Sequence, residues 1–458
     1  MFKELALRLV KLVNALAMAF PFAMCWKLIY AAKTQLDLHT LSGLLIVGIF
    51  LFIYITYGRI YDAFLVSINR ISEMIYSQML AVLISDGMMF VVIGLLTRSL
   101  PAVWPMILVW AVQGIISTSW CVLAHRYYYR THKPRKTVVV YDIQRDIDEL
   151  INDYGLKKKF DVQMSVTAEE CIKNQLTVLE GVETVFICGV SSHERNVILK
   201  YCVEKNIDAY ILPRIGDILM SSAKQMHMFH LPMLKVRRYH PTPEYLLVKR
   251  VFDIVSSGLM LIIVSPVMLA TAIAIKATDG GPVFYKQCRL TRDGKKFDVL
   301  KFRSMRVDAE KDGVARLSTG SKDHRITPVG HFIRKVRIDE LPQLINILKG
   351  DMSVVGPRPE RPEIAEQYMK ELPEFALRLQ AKAGLTGYAQ VYGKYNTTPY
   401  DKLQMDLMYI SKPSFMEDLK IIFATIKILF IPESTEGVAE GSNTASVKVN
   451  KGDNKVAL

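Results

Sequence analysis

The stretch VFDIVSSGLMLIIVSPVMLATAIAI, residues 251–275, is almost entirely apolar and long enough to cross the hydrocarbon core of a bilayer. Ser265 and Pro266 interrupt it near the middle. Proline removes a backbone donor and kinks a helix, and in a membrane the backbone group freed in this way needs another partner. We therefore predict a helix that is broken at Pro266, with the Ser265 hydroxyl as the new partner.

Basic residues flank this stretch at both ends, with Lys249 and Arg250 before it and Lys276 after it. A spanning helix is oriented by an excess of Lys and Arg on its cytoplasmic side, and that asymmetry is absent here. The pattern favours a re-entrant helix over residues 249–276, which enters and leaves the membrane by the same face. A fifth, kinked membrane span is the alternative.

Four apolar stretches lie nearer the N-terminus, and each approaches the roughly 20 residues that a membrane-spanning helix needs. A dense run of Arg, Lys and Tyr between Arg126 and Lys136 follows the last of them, as is typical of a cytoplasmic interface. A further crossing at 251–275 would therefore move the rest of the chain outside the cell. We predict a four-helix transmembrane domain over residues 1–130, with spans at roughly 9–31, 41–57, 78–97 and 102–124.

Residues 137–236 have the pattern of a soluble α/β module. The segments TVVVYD, ETVFICG and DAYILP resemble buried strands with polar helical sequence between them, which predicts a small parallel, Rossmann-like sheet. The turn after the first strand, Tyr141-Asp142-Ile143-Gln144, lacks the GxGxxG glycines that let a backbone approach a pyrophosphate. We therefore expect a regulatory or packing module that binds no dinucleotide.

The chain of 458 residues carries a formal net charge of +14, and 51% of its residues are hydrophobic. This length favours two or three folded units, and this charge suits nucleic acid, anionic lipid or phosphorylated substrates. The apolar stretches favour the last two, so we expect no nucleic-acid partner. The six cysteines form no CxxC pair and the nine histidines no HExxH motif, which argues against a disulfide scaffold or a zinc site.

The sequence VFYKQCRLTRDGKKFDVLKFRSM, residues 283–305, has two strand-like runs on either side of Asp293-Gly294, a strong hairpin signal. Residues 415–430 have apolar residues at helical spacing, which fits either a helix on the membrane surface or packing on the rest of the protein. The polar tail, 433–458, is predicted to be disordered. Further helices are predicted over 331–349, 360–382 and 403–411.

The densest chemical candidate is RKVRIDELPQ, residues 334–343, with the acidic pair Asp339 and Glu340 at its centre. Pro342 suits the first turn of a helix, so Asp339 is predicted at or next to the N-cap, and Gly350 is a natural stop. An Asp at such a position is ordinarily only a cap.

Positive charge around the pair changes that interpretation. Arg334, Arg337 and the helix N-terminus form an environment that suits a diphosphate. A carboxylate held there, Asp339, can attack phosphorus and form an acyl phosphate. A neighbouring carboxylate, Glu340, can hold Mg²⁺, which would offset charge on the diphosphate.

Three more basic residues lie elsewhere in the sequence. Arg358 belongs to GDMSVVGPRP, residues 350–359, a stiff loop that could aim its guanidinium at a phosphate. Lys301 and Arg303 lie in KFRSM, after the predicted hairpin. Each of these residues taken alone would be interpreted as a solvated surface charge.

Six motifs together carry a family resemblance. They are KRVFDI at 249–254, Ser265-Pro266, GGPVFYKQ at 280–287, KFRSM at 301–305, IDELPQLINILKGDMSVVGPRP at 338–359 and GLTGYAQV at 384–391. Through them, residues 245–431 resemble the catalytic domain of bacterial polyprenyl-phosphate phosphoglycosyl transferases, the bacterial sugar transferase family. The N-terminal spans and α/β module are similar in architecture to the long members. The resemblance implies a mixed α/β, mainly helical, monotopic catalytic domain over 241–432.

The resemblance also implies roles for individual residues. Asp339 resembles the nucleophile that attacks the β-phosphate of a UDP-sugar and releases UMP, and Glu340 resembles its acidic partner. Mg²⁺ is the implied cofactor, held by Asp339 and Glu340. Arg334 and Arg358 resemble arginines that contact phosphate and nucleotide.

Other matching positions concern the membrane helix. Ser265-Pro266 resembles the break of the re-entrant helix, and Lys249, Arg250 and Asp253 match positions that anchor it at the interface. Polyprenyl phosphate, such as undecaprenyl phosphate, is implied as the acceptor of a ping-pong cycle, the first membrane step of exopolysaccharide, capsule or O-antigen assembly. The implied setting is the bacterial inner membrane, with a cytosolic catalytic domain and a homodimer.

Two positions depart from the family pattern. Ala383 stands where the family often has proline, and Tyr388 where it often has tryptophan. The sequence therefore leaves the transferred sugar open. Two other hypotheses are a membrane-anchored sugar-nucleotide dehydratase or epimerase, which would need the missing glycine-rich motif, and a non-catalytic scaffold or chain-length regulator in polysaccharide assembly.

Overall fold

The computed structural model describes residues 2–34, 40–142, 151, 156–307, 325–393 and 397–429. The tail predicted to be disordered, 433–458, lies outside the described residues. The chain divides into two compact units, Met1–Pro213 and Arg214–Leu458.

The first unit begins with long apolar helices in the regions predicted to be helical. Each is long and apolar enough to cross a membrane, by length and composition. The first passes from α-helix into a π-helical turn at Trp26–Tyr30. The four helices are α1 (Phe2–Cys25), α2 (Leu41–Ile60), α3 (Ile71–Thr97) and α4 (Trp104–Thr131).

A four-stranded parallel sheet completes the first unit, in the order β2-β1-β3-β4. The three predicted strands are confirmed as β1, β3 and β4. Strand β2 was not predicted, although Phe160, Val162, Met164 and Val166 alternate along it. The elements are β1 (Arg135–Tyr141), β2 (Phe160–Thr167), α5 (Ala168–Lys173), β3 (Thr184–Cys188), α6 (Ser192–Glu204) and β4 (Asp208–Leu212).

An acidic side chain lies where a dinucleotide-binding sheet would place its phosphate loop. The Asp142 carboxylate, which follows β1, accepts a hydrogen bond of 2.9 Å from the backbone N–H of Ser191, the N-cap of α6. The N-terminus of α6 therefore already has an anionic partner within the protein.

The second unit starts before the predicted module boundary at residue 236. Ile218 lies in one buried cluster with Val355, Phe375 and Leu403, so this segment packs with the C-terminal part of the chain. The elements are α7 (Ile215–Ser221), β5 (Lys224–Met228), β6 (Leu231–Lys235), α8 (Pro243–Asp279), β7 (Phe284–Leu290), β8 (Lys296–Phe302), α9 (Pro328–Lys335), α10 (Gln343–Lys349), β9 (Ser353–Val355), α11 (Pro362–Glu371), β10 (Gly384–Thr386), α12 (Tyr388–Tyr392), α13 (Pro399–Ser411) and α14 (Phe415–Leu429).

The predicted hairpin is confirmed as the antiparallel pair β7–β8. Its turn needs positive φ at Asp293 (58°) and Gly294 (72°), a conformation that Asp tolerates and Gly adopts freely. The amphipathic segment is α14, and its contacts favour the packing alternative. Thr425 hydrogen bonds to Thr386 of β10 at 2.6 Å.

The apolar stretch 251–275 lies within α8, one helix of 37 residues that continues through Pro266 without the predicted break. The Ser265 hydroxyl donates a 2.8 Å hydrogen bond to the carbonyl of Ile262. That carbonyl is four residues before Pro266, so it is the group that proline leaves without its helical donor. The predicted role of Ser265 is confirmed, while the re-entrant path stays a prediction.

Three charged residues fasten the first turns of α8 to the rest of the second unit. Lys249 forms a 2.8 Å ion pair with Asp418 of α14. Arg250 donates to the carbonyls of Ile347 and Leu348, at the end of α10, at 2.7 and 2.8 Å. Cations are stabilised at a helix C-terminus, where carbonyls lack helical donors.

Asp253, the third of these charged residues, is almost completely buried. Its Oδ1 accepts from the Ser353 hydroxyl at 3.1 Å and from the Val354 N–H at 2.9 Å. The three residues thus connect α8 to α10, β9 and α14.

The Asp253 contacts predict a graded loss of stability. Asp253→Leu removes the acceptor of two donors, and we expect the free energy of unfolding to fall by about 1–3 kcal/mol. Asp253→Asn keeps an acceptor oxygen, so its free energy of unfolding should fall clearly less. Thermal unfolding of both variants in detergent measures the difference, and equal losses would contradict the hydrogen-bonding role.

Candidate active site

The acidic pair lies in a short 3₁₀ turn, Ile338–Glu340, between α9 and α10. The prediction that Asp339 caps the following helix was wrong, because α10 begins at Gln343 with Pro342 as its N-cap. Pro342 has no N–H to donate to the Ile338 carbonyl, as an α-helix would require, and Leu341 donates to it instead at 3.1 Å. The predicted helix over 331–349 is therefore interrupted at this turn, and Gly350 ends α10 as predicted.

Glu340 is held by two cations. Its Oε1 lies 3.1 Å from Nη2 of Arg358 and 3.5 Å from Nζ of Lys301. Burial alone would raise the pKa of Glu340, but the charges of Arg358, Lys301 and Arg337 outweigh it and lower the pKa to about 2. Glu340 is therefore ionised at any physiological pH.

Asp339 differs from Glu340 both in its contacts and in the direction of its pKa shift. Among the described residues, no side chain forms a hydrogen bond or a close ion pair with its carboxylate. Burial and the neighbouring charge of Glu340 raise its pKa to about 6, although Lys301, Arg334 and Arg358 act in the opposite direction. The pair thus consists of one fixed carboxylate and one without a direct partner.

Lys301 is positioned by β8, the second strand of the hairpin, and by α10. The Asn346 side chain accepts from the N–H of Leu300 at 2.9 Å and donates to the carbonyl of Asp298 at 2.8 Å. It therefore joins α10 to β8 beside Lys301. Asn346 was not among the predicted site residues, because in the sequence it resembles an ordinary polar residue of a helix.

Arg358 is positioned by the rigid loop that the sequence predicts. The loop follows β9, which pairs in parallel with β10. The two backbones approach so closely that a Cβ at Gly384 would collide with the backbone of Gly356. Glycine at both positions is what allows this contact.

A buried ion pair supports the same loop. Arg378, 4% exposed, donates to Asp406, 1% exposed, at 2.8 Å through Nε and 2.7 Å through Nη2. Nη2 also donates to the backbone carbonyl of Arg358 at 2.9 Å. The sequence analysis missed this pair. Its only signal is a charge, Asp406, on the buried face of α13.

The remaining predicted cations occupy different places. The charge of Arg334 acts on Asp339, and its Nη1 is buried without a hydrogen-bond partner among the described residues. The charge of Arg337 acts on Glu340. Arg303 is buried, with its guanidinium against the backbone of Gly281 at the entry to the hairpin.

The donor set fits a magnesium ion only with help from a substrate. The part of the chain that the structure describes holds no group of three or more His, Cys, Asp or Glu side chains placed to bind a metal. Mg²⁺ is commonly held by one or two carboxylates together with substrate phosphates and water. Asp339 and Glu340 match that pattern when a diphosphate supplies the other oxygens.

Comparison with known proteins points to one family. A family model described as bacterial sugar transferase matches residues 244–432. The UDP-N-acetylgalactosamine-undecaprenyl-phosphate N-acetylgalactosaminephosphotransferase of Aeromonas hydrophila is 37% identical over 234 residues, which are 50% of this chain and 54% of that protein. The chain thus spans about half the length of this relative.

Two further relatives are named UDP-glucose:undecaprenyl-phosphate glucose-1-phosphate transferase. The Klebsiella pneumoniae protein is 44% identical over 191 residues, 41% of each chain. The Caulobacter vibrioides protein is 38% identical over 209 residues, which are 44% of this chain and 78% of that protein.

The raised pKa of Asp339 predicts a stability effect with a definite sign. The folded protein binds this proton more tightly than the unfolded chain does. The protonated Asp339 carboxyl therefore contributes to stability. This contribution is complete below about pH 4 and is lost as the pH rises through about 6. Asp339→Asn should raise the free energy of unfolding at pH 7 by on the order of 1 kcal/mol. The gain should shrink towards pH 4.

Glu340→Gln is the matched control and should do the opposite. The lowered pKa of Glu340 contributes stability above about pH 4.5, which is lost as the pH falls through about 2. Thermal unfolding of both variants between pH 4 and pH 8 tests the pair of expectations. Destabilisation by both substitutions at pH 7 would contradict the prediction that the ionised Asp339 carboxylate is unfavourable in the folded protein.

Proposed function

The chain belongs to the bacterial sugar transferase family, and on that basis we propose that it transfers a sugar 1-phosphate from a UDP-sugar to undecaprenyl phosphate. Family membership favours this function over the dehydratase, epimerase and scaffold hypotheses. The observation that carries the proposal is a difference between the two carboxylates. Glu340 is held by two cations, whereas Asp339 has no hydrogen bond or close ion pair within the described part of the chain.

In the proposed first step, Asp339 is the nucleophile. An oxygen of its carboxylate forms a bond to the β-phosphorus of the UDP-sugar. The bond from that phosphorus to the bridging oxygen breaks, and this oxygen leaves with UMP. The product is a covalent aspartyl phosphosugar. A raised pKa suits this role, because the carboxylate keeps its nucleophilicity while most of it remains ionised at neutral pH.

In the second step, an oxygen of undecaprenyl phosphate attacks the same phosphorus. The bond to Asp339 breaks, the carboxylate is regenerated, and the lipid carries the sugar through a diphosphate. The two steps never require both substrates at once, which is a ping-pong cycle.

The surrounding cations bind and orient the phosphates. Arg334 has a buried guanidinium nitrogen without a hydrogen-bond partner among the described residues, which makes it a candidate donor for a phosphate oxygen. Arg358 is 43% exposed while paired with Glu340, so its other face is open to a substrate. Mg²⁺, held by Asp339, Glu340 and the diphosphate, would supply charge neutralisation for the leaving group.

The link between α8 and α10 supports access to a lipid substrate. Arg250 of α8 binds the end of α10, and the turn before α10 carries Asp339. An apolar helix is thereby fixed close to the acidic pair. We propose that Pro266 bends the continuous helix α8 so that it enters and leaves the membrane by the same face, and that the catalytic unit lies on the cytosolic face of the bacterial inner membrane, as a homodimer.

The covalent intermediate predicts one decisive variant. With Mg²⁺ and a UDP-sugar labelled in the sugar, the protein should release UMP and retain label, and Asp339→Asn should lose both by at least about 10³-fold. Asp293→Asn, on the exposed hairpin turn, is the control and should behave like the unchanged protein. Normal turnover by Asp339→Asn would exclude this residue as nucleophile. A panel of UDP-sugars in the same assay identifies the sugar.

The pKa of Asp339 predicts the pH dependence of the first step. The rate of UMP release in a single turnover should rise with pH through an apparent pKa of about 6 and then level off. Lys301 lowers the pKa of Asp339, so Lys301→Met should move the midpoint to higher pH. An unmoved midpoint would assign the titration to another group.

A further inference from the structure

A cavity of about 580 Å³ opens in the first unit, at the C-terminal end of α4. It lies beside the run of basic and aromatic residues that follows the apolar part of this helix, and it plays no part in the proposed reaction. One wall comes from α4 and the chain after it, and the other from the turn before β2. The lining residues are His125, Arg126, Tyr129, Arg130, Pro134 and Lys158.

The charged side chains in the lining of this cavity are basic. Arg126, Arg130 and Lys158 are exposed cations, and no carboxylate among the residues that the structure describes lines the cavity. Within the described ranges, none of the three forms an ion pair. By contrast, the neighbouring Arg135 lies outside the cavity and is paired with Asp208. Three positive charges around one concave surface favour an anion.

The position along α4 shows the depth at which the anion would sit. The apolar stretch of α4 ends at residue 124, and the cavity begins with the next residue, His125. This is the level at which phospholipid phosphates meet a membrane-spanning helix. His125 packs on the ring of Tyr129, with centroids 4.6 Å apart, so an aromatic wall of the kind found at bilayer interfaces borders the charges.

An apolar track leads away from the cavity on the same face of α4. Leu123 lies three residues before Arg126 and seven before Arg130, so the three share one side of the helix. Leu123 is 64% exposed, and Ile115, two turns earlier, is 69% exposed. A ligand with a phosphate in the cavity could therefore lay an acyl chain along this side.

We infer that this cavity binds the phosphate group of an anionic phospholipid, with the acyl chains on the exposed apolar face of α4. The phosphate diester lies among Arg126, Arg130 and Lys158. A zwitterionic headgroup is disfavoured, because its ammonium group would enter the same positive field. Undecaprenyl phosphate and inorganic phosphate share part of this chemistry, and the test separates them.

The test measures lipid binding to the purified full-length chain by native mass spectrometry. Without any nucleotide sugar present, phosphatidylglycerol should bind at least about ten-fold more tightly than phosphatidylcholine of the same chain length. The combined variant Arg126→Gln/Arg130→Gln/Lys158→Gln should remove this preference. The matched control, Lys133→Gln/Lys136→Gln/Lys157→Gln, removes the same charge from the same segments outside the cavity and should keep it.

Several results would overturn the inference. Equal binding of the two phospholipids by the unchanged protein would do so, and this measurement does not depend on the folding of any variant. An equal loss of the preference for phosphatidylglycerol in the control variant would show that the preference comes from net charge and not from the cavity. Displacement of phosphatidylglycerol by undecaprenyl phosphate at lower concentration, or by inorganic phosphate without lipid, would assign the cavity to another ligand. UMP release is measured separately, so failure here leaves the proposed transferase function unaffected.

Discussion

The contact between Arg250 and the last carbonyls of α10 is the interaction on which the second unit depends. It satisfies the unpaired end of a short helix, and it does so from the first turns of the long apolar helix. The segment immediately before α10 carries the acidic pair. Through this contact the long apolar helix and the turn with the acidic pair become parts of one arrangement, to which Asp253 and Lys249 add further contacts.

The acidic pair illustrates how neighbouring carboxylates acquire different properties. Both are partly buried, and each repels the other. Glu340 has two cations at close range, so its charge is compensated, whereas Asp339 receives the same cations at longer range and bears the cost of burial. Such an arrangement stores unfavourable energy in one residue while the network around it stays intact.

Local signals in the sequence predicted much of this structure. Strand patterns located β1, β3 and β4, the Asp-Gly pair located the hairpin, and Ser265 was identified as the partner for the backbone freed by Pro266. The error at Asp339 was also local. A proline that suits the first turn of a helix also removes the hydrogen bond that would have joined the preceding turn to it.

Contacts between distant parts of the chain were beyond such signals. Arg378 and Asp406 are 28 residues apart and meet only after α13 has packed, and Asn346 reaches across 46 residues to β8. Lys301 and Arg358, both predicted to bind phosphate, do lie beside the acidic pair, but their contact with Glu340 depends on tertiary packing that the sequence does not show. Residue patterns therefore indicated which charged residues come together and not which carboxylate each cation contacts.

The length of α8 has a consequence for how the second unit is held together. At 37 residues the helix is roughly 55 Å long, and its contacts with the rest of the unit are spread along that length. Asp253, near the start, binds the backbone of β9, whereas Ile275, near the end, is buried with Phe302 of β8 and Ile333 of α9. A single helix thus supports both sides of the acidic turn, and a shift of α8 along its axis would disturb both sets of contacts at once.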